Sequence, residues 1–197
     1  MACAKKNPRG TGSTILHEYG HALDYAIGVK LGHGKEISEV IGLGKSIRSE
    51  LKVNLFKEAE DYFKTHPELA KDFYDDDQRL SAYAYEKFSG EILSTKSRLF
   101  SYPKLPNVKH LIFGKRNDHD REPLSDMISG ATKNGLNLGY FHTKSYWSLQ
   151  SEGWEGFAEI GTLSESQFGV KFLETYLPQS YALWKKSIRD GADAADQ

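Results

Sequence analysis

The chain has 197 residues, 39% hydrophobic and 27% charged, with 26 Lys plus Arg against 27 Asp plus Glu and a net charge of −1, the composition of an ordinary soluble globular protein. It carries no basic stretch dense enough to neutralise a row of phosphates, no run of 18 apolar residues and no apolar signal core in its first twenty positions, so neither nucleic-acid binding, a membrane span nor an export signal is expected. The single cysteine, Cys3, excludes an internal disulfide and a thiolate metal site, so any metal must sit on histidines and carboxylates.

From Gly12 the pattern is helical, because Leu16, Gly20, Leu23 and Ile27 fall on one stripe. Ser13 or Thr14 can cap its start, and the glycines at 28, 32 and 34 end it. Ile37 to Thr65 and Pro67 to about Leu99 read as two longer, charge-rich helices. The second is interrupted at Asp75-Asp76-Asp77, a solvated turn that lacks the glycine and distal Glu of a calcium loop. Ser101 to Asn107 is a connection, Val108 to Phe113 a short strand, and Leu138 to Phe141 a second strand of a small hairpin or sheet. Between them Pro123 starts a short helix through Ala131. Gln150 to Leu163, Ser166 to Leu177 and Gln179 to Ile188 are helical by spacing, and the small-residue tail from Gly191 is expected to fray.

The chemistry lies in the first helix. His17-Glu18-Tyr19-Gly20-His21 is an H-E-x-x-H sequence, and residues four apart stack one turn above the other, so both imidazoles can hold one ion. Zinc accepts neutral imidazole nitrogens, and a catalytic site uses three protein ligands. Glu18 lies about 100° round the helix from His17, beside the ion, where it can take a proton from metal-activated water. With 7 histidines in 197 residues, chance gives about 0.02 such patterns. Gly20 lets something approach the helix closely.

The third ligand must come from elsewhere. A metzincin would place a histidine six residues after His21, but Ile27 stands there, and Leu23-Asp24 occupies the position of the required turn glycine. Asp24 fits a place beside the ligands or at a cap better than one on the ion, since a third ligand from the same helix is hard to aim. His33, His66, His110 and His119 read as surface or loop residues, with His119 the substitute ligand among them. The segment Glu152-Gly153-Trp154-Glu155-Gly156-Phe157-Ala158-Glu159 stands out. Its Glu155 and Glu159 are again one turn apart, so one can bind the ion while the other orients a ligand histidine through its second nitrogen.

The H-E-x-x-H helix followed far downstream by Glu155-Gly-Phe-Ala-Glu159 resembles the gluzincin metallopeptidases. Within them it resembles the catalytic domain of anthrax toxin lethal factor and related toxin domains attached to phage head-morphogenesis proteins. Leu124-Ser125-Asp126 and Phe141 to Trp147 also look like segments of the phage-associated branch. The resemblance implies that His17, His21 and Glu155 bind zinc, that Glu18 is the base, and that Glu159 supports a ligand. It further implies a Tyr or His near the metal to bind the developing oxyanion, for which Tyr146 and His142 are the candidates.

Only sixteen residues precede the motif, fewer than the sheet that zincins carry ahead of this helix. Either later strands substitute, or the chain is the C-terminal part of a larger one. The expectation is therefore one zincin-like domain over residues 1–197, α+β, mainly helical with a small β-sheet. Its expected activity is zinc-dependent hydrolysis of a protein or peptide substrate, as a secreted, delivered or virion-associated effector served by a larger parent chain or delivery partner. The alternative is a non-catalytic binding or structural module of a phage or toxin protein that retains the zinc site.

Overall fold

A computed structural model of the chain describes residues 10–65, 118–132, 142–143 and 145–196. Most of these residues lie in seven helices: α1 (Gly10–Lys30), α2 (Ile37–Val40), α3 (Leu43–Thr65), α4 (Asp118–Thr132), α5 (Leu149–Leu163), α6 (Gln167–Tyr176) and α7 (Pro178–Ala195). The described residues are all-α and contain no strand, which corrects the expected α+β architecture with a small sheet. The physical reason is that the helices cover one another. Leu43, Ile47 and Leu51 of α3, Leu124 and Ile128 of α4, and Phe157, Ile160 and Leu163 of α5 share one core, each contributing about 1.5–3 kcal/mol by its burial. The segments expected as strands, Val108 to Phe113 and Leu138 to Phe141, lie outside the described residues. So do the helix expected from Pro67, its Asp75–Asp77 turn and the connection from Ser101.

Several boundaries differ from those expected of the sequence. α1 begins before Ser13 and Thr14, runs past Gly28 and is closed at Gly32, whose φ is 83°. The helix expected to be continuous from Ile37 to Thr65 is broken at Gly42, whose φ of 67° is a left-handed conformation that only glycine adopts readily. Pro123 lies inside α4 rather than at its start, because the turn before it is also packed inward, with Asp120 and Glu122 buried. The tail expected to fray continues α7 to Ala195. It is held by Gly191, which is buried so closely against Ile27 of α1 that a Cβ there would come within 2.7 Å of the Ile27 Cγ1.

α5 lies at the centre, with α1, α3 and α4 packed on it. A helix buried nearly all round is normally apolar, yet α5 buries Glu152, Glu155 and Glu159. An unpaired buried carboxylate costs several kcal/mol, so each needs a partner on a neighbouring helix. Glu152 finds Arg48 of α3, whose Nε donates to Oε2 at 2.8 Å and whose second nitrogen donates to Oε1. The other two face α1.

The approach of α1 to α5 depends on Gly20. A Cβ at this position would stand 2.6 Å from the Ala158 Cα, a backbone atom that cannot rotate away. Gly20→Ala gains about 1 kcal/mol of helix propensity, but the overpacking costs about 1–3 kcal/mol and forces the two helices apart. The expected result is a net lower unfolding midpoint together with weaker metal binding, since the ligand pairs sit on these two helices. An unchanged midpoint in thermal unfolding would show that the helices separate without cost.

Candidate metal centre

α1 presents His17 and His21 one turn apart, and α5 presents Glu155 and Glu159 one turn apart, on facing sides of the Gly20–Ala158 contact. The two imidazole Nε2 atoms are 3.1 Å apart. Glu155 Oε2 lies 3.3 Å from His17 Nε2 and 3.5 Å from His21 Nε2. The three atoms therefore form a nearly equilateral triangle, with His17 and Glu155 buried and His21 partly exposed. His17, His21 and Glu155 are a group that could hold a metal ion. Behind them, Glu159 Oε1 lies 3.2 Å from His17 Nδ1. A carboxylate there favours the tautomer protonated at Nδ1, which leaves the Nε2 lone pair aimed into the triangle.

Electrostatics reinforce this arrangement. Burial by itself would raise the Glu155 carboxyl, but its contacts with His17, His21 and Tyr146 outweigh burial and hold it well below the usual carboxylate range. Glu155 is thus an anion, the form that binds a cation.

The segment before α5 supplies the roof. Ser148 caps α5 in a reciprocal pair with Ser151: Ser151 N donates to Ser148 Oγ at 3.0 Å and Ser148 N to Ser151 Oγ at 2.8 Å. Ser151 Oγ also donates to the Tyr146 carbonyl at 2.7 Å, which fixes Tyr146 over the first turns of α5. From there the Tyr146 hydroxyl donates to Glu155 Oε1 at 2.5 Å. Burial, the bond to Glu155 and its charge all raise the phenol above its ordinary range, so the hydroxyl remains a donor at neutral pH. His142 stacks on Tyr146 with ring centroids 4.2 Å apart, and its Nε2 lies 3.5 Å from Glu155 Oε1 and 3.4 Å from Asp126 Oδ2.

Glu18, the expected base, is exposed on α1 next to buried His17. Asp24 is not part of this group: its two oxygens accept from Ser38 N at 2.7 Å and Ser38 Oγ at 2.6 Å. It thereby caps α2, whose own N-cap residue, Glu36, makes no side-chain cap bond. His33 is exposed, His66 and His110 lie outside the described residues, and His119 lies in α4. Asp126 carries no role in the sequence reading, although it stands in the Leu124-Ser125-Asp126 segment. The signal that marks it is the buried polar series Glu122, Ser125, Asp126 and Ser129 along α4, a stripe that an ordinary core helix lacks.

Burial pushes the Asp24 carboxyl up from 3.8 to about 6, against the two Ser38 hydrogen bonds. Folding thus favours the protonated form. The stabilisation is complete below about pH 3.8 and is lost as pH rises through about 6, a change of roughly 3 kcal/mol. Urea unfolding of the metal-free chain between pH 4 and 7 is expected to show wild type losing that amount relative to Asp24→Asn. Parallel profiles would show that Asp24 does not titrate in this window.

Comparison with protein-family models, with curated proteins and with solved structures gives no match. Among the described residues, no helix is long and apolar enough to cross a membrane.

Proposed function

We propose that the chain is a zinc-dependent endopeptidase of the gluzincin kind, acting on a protein or peptide substrate as a toxin or phage-associated effector domain. The observation that carries this reading is the triangle of His17 Nε2, His21 Nε2 and Glu155 Oε2, with edges of 3.1, 3.3 and 3.5 Å. Donors at tetrahedral angles and 2.0–2.1 Å from zinc are separated by about 3.3 Å, and a donor set of two imidazoles and one carboxylate is that of catalytic zinc. Bound there, zinc supplies a Lewis acid for the peptide carbonyl and lowers the pKa of water.

The chain's own residues do the rest. Glu18 accepts the proton of the attacking water and returns it to the leaving amine. Glu159 holds His17 in the ligating tautomer. Tyr146, donating to Glu155 Oε1 with His142 stacked on its ring, positions that ligand.

The test is cleavage of a peptide mixture. Hydrolysis should disappear on chelation and return with zinc. A fully loaded protein that cleaves nothing would leave the non-catalytic module as the function. Ligand assignment is checked separately by zinc titration. His17→Ala and Glu155→Ala should each weaken zinc binding by several orders of magnitude, and Asp24→Ala should not. Unchanged affinity in Glu155→Ala would transfer the third ligand to another residue.

A further inference from the structure

The Glu155 carboxylate is engaged from both sides. Oε2 belongs to the triangle with His17 and His21, whereas Oε1 faces a second convergent group. There His142 Nε2 stands 3.5 Å from Glu155 Oε1 and 3.4 Å from Asp126 Oδ2, and all three residues offer ligand atoms within 4.8 Å of one another. These separations exceed the 2.7–3.2 Å of an ordinary N–H···O bond. They match instead the 3.1–3.5 Å edges of the first triangle.

The donors are held by separate parts of the fold. Asp126 is fully buried on α4, Glu155 is buried on α5, and His142 lies before α5. Trp147 draws the His142 segment onto α4, since its ring lies where a Cβ on Gly130 would be, at 2.9 Å. These three groups converge two carboxylate oxygens and one imidazole nitrogen from three separate parts of the fold, a donor set that suits a divalent cation. Tyr146 is no obstacle, because a carboxylate oxygen has a lone pair left after accepting one hydrogen bond.

We propose that Asp126, His142 and Glu155 form a second divalent-cation site, so that Glu155 bridges two ions in one carboxylate-linked centre. The inference rests on the metal centre proposed above only in sharing Glu155, and Asp126 and His142 are its own donors. One nitrogen and two oxygens suit a borderline to hard first-row ion such as zinc or manganese. Two-metal hydrolases hold their ions about 3.5–4 Å apart, a span that one carboxylate bridges, and the pair flanks the reacting bond from two sides. A substrate carbonyl or leaving group would then meet positive charge on the Tyr146 side as well as on the His21 side.

The test is metal stoichiometry of the whole chain after equilibrium dialysis against buffered zinc, with helical circular dichroism as the check on folding. Wild type is expected to hold two zinc ions, and Asp126→Asn, His142→Ala and His17→Ala one each. His142 is partly exposed, so His142→Ala carries the test if the buried Asp126 variant does not fold. Wild type saturating at one ion that His17→Ala abolishes, or His142→Ala loading like wild type, overturns the second site. Loading unchanged in His17→Ala but reduced in His142→Ala supports the second site and removes the first instead. Cobalt gives an independent reading: visible absorption should develop in two phases in wild type and in one phase in His142→Ala.

Discussion

Glu18→Gln is expected to abolish peptide cleavage while leaving metal and fold in place. Glutamine has the shape of glutamate but cannot take a proton, and a positioned general base contributes about 10²- to 10⁴-fold to rate. Because Glu18 is exposed and stands outside the ligand triangle, the substitution removes neither a buried contact nor a donor to the ion. Its effect on stability should stay within about 0.5 kcal/mol. Three measurements on the same preparation decide the matter: zinc content, the unfolding midpoint and kcat. Loss of kcat alone assigns Glu18 as the base. A variant that turns over within tenfold of wild type rules it out.

The sequence made legible those features that repeat at the helical turn. His17 and His21, and Glu155 and Glu159, each announce a helix face by their spacing of four, and the structure brings the two faces together across Gly20 and Ala158. What the spacing could not carry is burial set by remote partners. Asp126 looks like a surface acid until α4 is packed on α5 and Trp147 closes against Gly130.

The same holds for caps supplied from elsewhere in the chain. Glu50 of α3 accepts from Gln179 N and Ser180 N, both at 2.8 Å, and so caps α7 from more than a hundred residues away. Asp24 does this for α2. Its position three residues past His21 left a place beside the ligands or at a cap, and Ser38 takes both its oxygens, which makes it a cap. The expected sheet rested on two short apolar segments, Val108 to Phe113 and Leu138 to Phe141, which lie outside the described residues. The apolar stripes of α3, α4 and α5 bury one another without it.

Tyr146→Phe is expected to lower zinc affinity by about 10- to 100-fold, the usual cost of removing a group that orients a metal ligand. The sequence suggested an oxyanion donor here, but the hydroxyl is already committed to Glu155 Oε1 at 2.5 Å, and the carbonyl of the same residue is held by Ser151. Phenylalanine keeps the stack on His142 and the edge contact with Trp147 but leaves Glu155 with one fewer donor. That change raises the cost of holding the carboxylate ionised where a cation needs it. A donor that served only the developing oxyanion would behave otherwise, lowering kcat by about 10²- to 10³-fold with zinc affinity unchanged. The two roles separate in one experiment, a zinc titration followed by kcat at saturating zinc. If affinity falls and the fully loaded variant turns over nearly as fast as wild type, Tyr146 positions Glu155. If affinity holds and kcat falls, the hydroxyl leaves Glu155 for the substrate as charge develops.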